Sequence, residues 1–196
     1  MLACHAILSA YGFWLPNDER GSWSDFVGSY ELHHFGPATK VDTRQSLARR
    51  PFDRHRRDRM KRTLKYPPVV FTGEQARAVA RGFADYARRS ALVIHACAVL
   101  PEHVHLVFVP HHLAIERTIE QLKVAATRQL NEEDLHPLTH ERERHGRPPT
   151  PWARGQWTVY LNKPAEVRRA IRYVENNPLK EGKPRQHWSF VTPFEL

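Results

Sequence analysis

Cysteine is scarce in this sequence: the 196 residues include two, Cys4 and Cys97, and no CxxC pair. That excludes a disulfide framework or a zinc ribbon and suits a reducing cytoplasm, with both thiols as small buried hydrophobes. No run approaches the ~18 apolar residues of a membrane-spanning helix. The N-terminus lacks the basic-then-apolar order of a secretory signal. The expectation is a soluble cytoplasmic protein with no membrane partner. No segment repeats. Acidic residues are in deficit, 21 Asp and Glu against 30 Lys and Arg, for a net charge of +9. Such a surplus repels basic partners and draws polyanions, nucleic acid first and anionic membrane as the rival, which adds association with the nucleoid to the expectation.

What is present suffices for one core. Hydrophobic residues make up 41% and aromatics 10% of the chain, and the length argues for a single domain. Residues 2–11 alternate as a strand. Residues 12–68 break the pattern with Gly and Pro punctuation, early aromatics and a basic run, and read as a long insertion, partly helical at best. Thr72 is a plausible N-cap for a helix over 74–90, where Ala76, Val79, Ala80, Phe83 and Ala87 recur at helical spacing. Residues 91–99 and 103–109 read as a β-hairpin about Leu100-Pro101-Glu102. Ile115, Ile119, Leu122, Ala126 and Leu130 mark a helix over 114–132, and polar, Pro-rich 134–155 reads as loop. Residues 157–162 form a strand. Asn162 is then expected to cap a helix with Pro164 in its first turn, ending at Pro178, before a tail over 178–196. The order predicts an α+β domain, a central antiparallel β-sheet flanked by helices, with the basic insertion after the first strand.

Two segments carry candidate chemistry. Residues 101–108 read PEHVHLVF. On a strand His103 and His105 share one face, and Val104, Leu106 and Phe108 hold the other in the core. Two imidazoles roughly 6.6 Å apart along the chain can converge on one ion. The same pattern fits an ordinary half-exposed strand, and with 13 histidines some such pairs arise by chance. Other metal hydrolases also use the pair, with a nearby Asp that VFVPHH does not supply. In 164–177, Val167, Ala170, Ile171 and Val174 form one helical stripe, and Tyr173 lies on its flank. Asn177, one turn on, shares the Tyr173 face with Glu166 and Arg169. A tyrosine attacks phosphorus where a metal polarises the phosphate, although a flanking structural tyrosine has the same spacing.

Taken together, these segments resemble the Y1 transposases, the family of the IS200/IS605 transposases and the REP-associated tyrosine transposases. Its members pair a φPxHφHφφ strand with a late helix YφxxNPφ+AG. Here the second motif runs from Tyr173 through Asn177-Pro178 to Gly182, with Glu181 where the family often has Ala. QLKVAATRQLN at 121–131 and the order of elements are also similar. The resemblance covers about 70–196, touches 1–11 loosely, and leaves 12–68 unaligned. It implies the ferredoxin-like fold of HUH endonucleases. It implies His103 and His105 as metal ligands, Asn177 completing the shell, Mg²⁺ or Mn²⁺ as the ion, and Tyr173 as the nucleophile. The implied reaction cuts single-stranded or hairpin DNA through a 5′-phosphotyrosine link and releases a 3′-OH, with no organic cofactor. Monomer and homodimer both stay open, since in some relatives the tyrosine helix serves a partner subunit. A domesticated module that grips DNA or RNA without cutting is the alternative, and a hydrolase of another substrate is a third reading.

The charge is concentrated. Residues 44–65 hold ten Arg or Lys and two Asp. The phosphate-binding residues expected there are Arg50, Arg54, Arg56, Arg57, Arg59, Lys61 and Arg62, joined by Lys123 on the middle helix and by Arg169, Arg172 and Lys180 about the tyrosine helix. A solvated arm is the plain alternative. Trp188 and Phe190, like Phe13, Trp14 and Trp23, serve either to stack on unpaired bases or to pin chain to core. Replacing the basic residues of 44–65 should weaken DNA binding and flatten its logarithmic salt slope by roughly 0.7–0.9 for each phosphate that is no longer neutralised. Binding titrations across salt concentrations measure this, and unchanged affinity would remove the run from the interface.

Overall fold

Side-chain alternation assigns the two faces of the sheet. In β1 (Ala3–Ser9), Cys4, Ala6 and Leu8 are buried on one side, while Ala3, His5, Ile7 and Ser9 take the other. β1 pairs antiparallel with β3 (His103–Phe108) and with β4 (Trp157–Leu161), and β2 (Ile94–Val99) pairs antiparallel with β3. The sheet order is β2-β3-β1-β4, so β1 and β3 are the central strands. The computed structural model describes residues 1–196 except 44–46, 49, 144 and 196; Arg44 and Arg49, the start of the basic run, lie outside the described residues.

One face packs on two long helices, preceded in the chain by a short one, α1 (Arg54–Arg62). In α2 (Gly73–Ser90) the Thr72 hydroxyl accepts from the Gln75 N–H at 3.2 Å, and the Gln75 side chain accepts from the Thr72 N–H at 2.9 Å. This reciprocal cap satisfies two donors that the helix start would leave unpaired. Val79 and Phe83 of α2 meet Ile119, Leu122 and Leu130 of α3 (Ile115–Glu132) over Leu8, Leu106 and Phe108. Both cysteines are free and buried, and burial pushes the Cys4 thiol up to about 12 and raises Cys97 as well. α2 ends at Ala91 in the left-handed conformation, so residues 91–93 form a turn and the strand expected from 91 begins at Ile94.

The other face receives α4 (Pro164–Lys180). Beneath it the sheet offers Ala3, Ala96, Ala98 and Val107, small side chains that let Val167, Ala170 and Val174 settle close. The cap differs from expectation. Asn162 is exposed, Lys163 is the N-cap, and the Glu166 carboxylate accepts from the N–H groups of Asn162 and Lys163 at 2.8 and 3.1 Å. The helix also passes through Pro178 instead of stopping there. Proline removes one intrahelical donor, but Pro178 is buried, and its carbonyl accepts from Glu181 and Lys183 at 3.0 and 2.9 Å.

The described part of the insertion is folded rather than a solvated arm. Leu15, Val27, Leu32 and Met60 form its own small core, with a 3-10 turn at Tyr30–Phe35 and α1 around it. Its centre is a buried ion pair. Arg20 donates to both Asp18 oxygens at 2.8 Å, and its guanidinium sits 4.0 Å from the Trp14 ring and 4.1 Å from Phe52. Burial raises the Asp18 carboxyl, but the Arg20 hydrogen bonds and charge, with Arg57, outweigh it and hold the group below its ordinary value. The tail is pinned as well. Gln186 pairs its amide with the Val99 N–H and C=O at 2.8 and 2.7 Å, Trp188 donates to Cys97 O at 3.2 Å, and Thr192 N–H reaches Ile94 O at 2.8 Å. Trp188 and Phe190 pack on the core. The tail thus covers the open edge of β2.

α2 and α3 touch most closely at Gly82, where a Cβ would lie 2.6 Å from Ala125 O and Ala126 Cα. Gly82→Ala should therefore cost about 1–3 kcal/mol through overpacking, seen as a lower melting temperature. An unchanged transition would show that the helices can part freely.

Candidate functional site

The β1–β3 register builds the site. His5 stands opposite Val107, and Ile7 opposite His105, so His5 and His105 are diagonal neighbours on the face that α4 covers. His5 Nε2 lies 3.1 Å from His105 Nδ1, a hydrogen bond, with the rings stacked at 5.3 Å. His103 follows at 4.9 Å from His105, centre to centre. The insertion closes that end: the Phe13 ring stacks on His103 at 4.7 Å and 7°. His5 was not singled out from the sequence. Its signal was there, a lone polar residue on an alternating strand that is otherwise apolar or small.

Tyr173 comes from α4 onto the same group. Its ring stands edge-on to His105 at 5.5 Å and to His5 at 5.8 Å, all within one chain, and it is 38% exposed. The Lys180 ammonium lies 4.1 Å from the Tyr173 ring centre. Asn177, one turn past Tyr173, is buried. Trp157 of β4 meets His5 edge-on at 5.4 Å, and Trp23 of the insertion meets Trp157 at 5.9 Å. His5, His103, His105 and Tyr173 thus form one run of ring contacts, with Lys180 over the Tyr173 ring and Asn177 buried one turn past Tyr173.

The other expected residues are placed differently. Arg56 bonds Glu19 at 3.0 Å and also donates to Phe35 O; Arg57 donates to Phe13 O at 2.7 Å; Lys61 pairs with Glu102 at 3.0 Å. Arg50 reaches Arg20 O at 3.3 Å. These four hold the insertion together and to the β2–β3 turn, whereas Arg54, Arg59 and Arg62 are exposed. Lys123 donates to Ala153 O and Gly155 O at 2.9 and 2.6 Å, tethering the loop before β4, and burial lowers its pKa to about 8. Arg169 is exposed, and Arg172 lines a cleft with His95 and Phe194, away from Tyr173.

All three histidines are held neutral. Burial lowers His5 to about 4; burial lowers His103 to about 4 against the opposing charge of Glu102; burial, then His103, His5 and Lys180, lower His105 well below 6.5. Neutral imidazole is the form that binds metal. His103 Nδ1 is buried with no hydrogen-bond partner among the described residues. Among the described residues no three His, Cys, Asp or Glu side chains are arranged to hold an ion; the candidate ligands named from the sequence are His103, His105 and the Asn177 amide. Two neutral nitrogens and an amide oxygen fit a weakly held divalent cation that takes its remaining ligands from phosphate and water.

The lowered values link stability to pH. The unfolded histidines take up protons near 6.5, whereas folded His5 and His103 refuse them until about 4. Between those values the unfolded state binds more protons, so stability rises with pH. The melting temperature should be highest above about 6.5 and fall as pH drops toward 4, and His5→Gln should flatten that fall. A melting temperature flat from pH 4 to 7 would contradict the neutral assignment.

A model of the family described as "Transposase IS200 like" matches residues 62–177. That segment contains α2, the HxH strand β3, α3 and α4 as far as Asn177. The fold is similar to a REP-associated tyrosine transposase solved bound to a REP hairpin, at a TM-score of 0.48 and 13% identity over 96% of this chain and 74% of that one. It is also similar to a Deinococcus radiodurans R1 protein assigned as a transposase, at 0.41 and 16% over 89% of each. Both scores are below 0.5, and the family is carried by the sequence match. No curated protein matches the chain. Among the described residues no helix is long and apolar enough to cross a membrane. With the match spanning more than half of the chain, including the HxH strand and the tyrosine helix, the protein belongs to the IS200-like transposase family.

Proposed function

We propose that this transposase cuts and rejoins single-stranded DNA, including strands that flank a hairpin, through a covalent bond to Tyr173. The observation that carries this is the Tyr173 ring standing 5.5 Å from His105 within one chain. The phenol oxygen of Tyr173 attacks the scissile phosphorus, and the bond from phosphorus to the 3′-oxygen breaks. The phenol proton is lost to solvent, and the leaving oxygen gains one, giving a 5′-phosphotyrosine and a 3′-OH. Attack of a strand 3′-OH reverses the step and rejoins the DNA. His103, His105 and the Asn177 amide would hold Mg²⁺ or Mn²⁺, which when bound polarises the phosphate and eases loss of the phenol proton.

The remaining residues orient and attract. When His105 donates from Nδ1 to His5 Nε2, its own Nε2 keeps a free lone pair, so His5 fixes the ring in its ligating tautomer. Phe13, stacked on His103, fixes the second imidazole. Lys180 and exposed Arg169 bring positive charge to the phosphate beside Tyr173. Arg54, Arg59 and Arg62, exposed on α1, are the charges of the basic run available to more distant phosphates. Lys61 anchors that helix to Glu102, one residue before His103. Because Tyr173 and the histidines share one chain, the reading needs no partner subunit to complete the site.

Incubating the protein with single-stranded and hairpin oligonucleotides and Mn²⁺, then running a denaturing gel, tests this. Wild type should give a covalent protein–DNA adduct, Tyr173→Phe none, and His105→Ala a large reduction. Binding without adduct would identify a non-cutting module. Cleavage without adduct would identify a hydrolase. An adduct formed by Tyr173→Phe would overturn the nucleophile assignment.

A further inference from the structure

The insertion carries an exposed tryptophan that its own packing does not explain. Around it the backbone is heavily constrained. Gly21 has φ of +109°, and a Cβ there would meet Val41 at 2.9 Å. Ser22 pairs with Thr39 O and Val41 N–H at 2.8 and 2.9 Å, and its hydroxyl donates to Pro16 O at 2.6 Å. Arg20, three residues earlier, is locked between Trp14, Phe52 and Asp18. A segment held so firmly presents Trp23 to solvent at 39% exposure, where burial would have been the cheap arrangement.

Trp23 is not isolated. It meets Trp157 edge-to-face at 5.9 Å and 80°, Trp157 meets His5 at 5.4 Å, and His5 meets Tyr173 at 5.8 Å. Two ring-to-ring steps, each under 6 Å, therefore separate Trp157 from the tyrosine. Charged groups near this track include Lys180 over the Tyr173 ring, exposed Arg169 one turn before Tyr173, and the ion pair of Lys40 with Asp25, two residues past Trp23. Cations thus gather where the phosphate would lie, and the aromatic surface lies to one side of them.

We propose that Trp23 and Trp157 form a stacking subsite for an unpaired DNA base next to the phosphate held at Tyr173. The proposal rests on the single-stranded DNA reading above and deepens it. A duplex keeps its base faces stacked within itself, so this subsite favours the unpaired strand without reading its sequence. It also gives the insertion a role beyond charge: Phe13 fixes a histidine, and Trp23 receives a base.

The test measures affinity for a dT homopolymer oligonucleotide and for a duplex of the same length, without metal, over a range of salt. Stacking is worth ~1–3 kcal/mol per base, or about 5- to 150-fold in affinity. Trp23→Ala and Trp157→Ala should each weaken dT binding by that order, leave duplex binding unchanged, and keep the salt slope, because stacking releases no counterions. Trp157→Phe, which keeps a ring and guards against loss of fold, should restore most of the affinity. Unchanged dT binding, an equal loss on duplex, or an altered salt slope would each overturn the subsite. If wild type binds dT and the variants weaken that binding as expected, but wild type forms no adduct with metal, the subsite stands and the cutting assignment alone fails.

Discussion

The antiparallel register of β1 on β3 is the constraint from which the rest follows. Because Ile7 faces His105, His5 must lie diagonally across from His105 on the same side of the sheet. A slip of β1 by one residue would turn His5 into the apolar core between the sheet and the α2–α3 pair and take it away from His105. The core prevents the slip. Cys4, Ala6 and Leu8 on one strand and Val104, Leu106 and Phe108 on the other interlock with α2 and α3, so the hydrophobic face fixes which residues the opposite face presents.

That opposite face combines close packing with polarity. Alanines at 3, 96 and 98 admit α4, and the helix delivers Tyr173 to the end of the sheet where the histidines stand. His5 and His105 are buried and His103 is half-buried, and all three are neutral within a chain that carries a large positive charge. The two facts are complementary. In the proposed reaction a protonated cluster would repel a cation, whereas neutral imidazoles would donate lone pairs, and attracting phosphate would be left to the positive charge of Lys180, Arg169 and the exposed face of α1.

The insertion shows how a basic run divides between structure and surface. Arg56, Arg57 and Lys61 are consumed by Glu19, Phe13 O and Glu102, contacts that bring α1 against the β2–β3 turn and hold Phe13 over His103. Arg20, outside the run, is the most deeply committed cation, desolvated between two rings and neutralised by Asp18. Such a pair costs desolvation and returns it through geometry, and here it fixes a loop rather than adding to the field at the surface.

Period and punctuation in the sequence determined the four strands, the three long helices, their buried stripes and the antiparallel α+β plan, because each depends on neighbours along the chain. The HxH spacing and the position of Tyr173 and Asn177 on α4 were legible for the same reason. Tertiary structure alone decided the remainder. His5 joined the site because it is 100 residues from its hydrogen-bond partner, a distance no local pattern spans. Pro178 stayed helical because packing outweighed one lost hydrogen bond. Trp188 and Phe190 became tail anchors, and Arg50, Arg56, Arg57 and Lys61 became internal ion pairs and backbone tethers, because which partner a flexible cation or an exposed ring meets is set by folded geometry and not by composition.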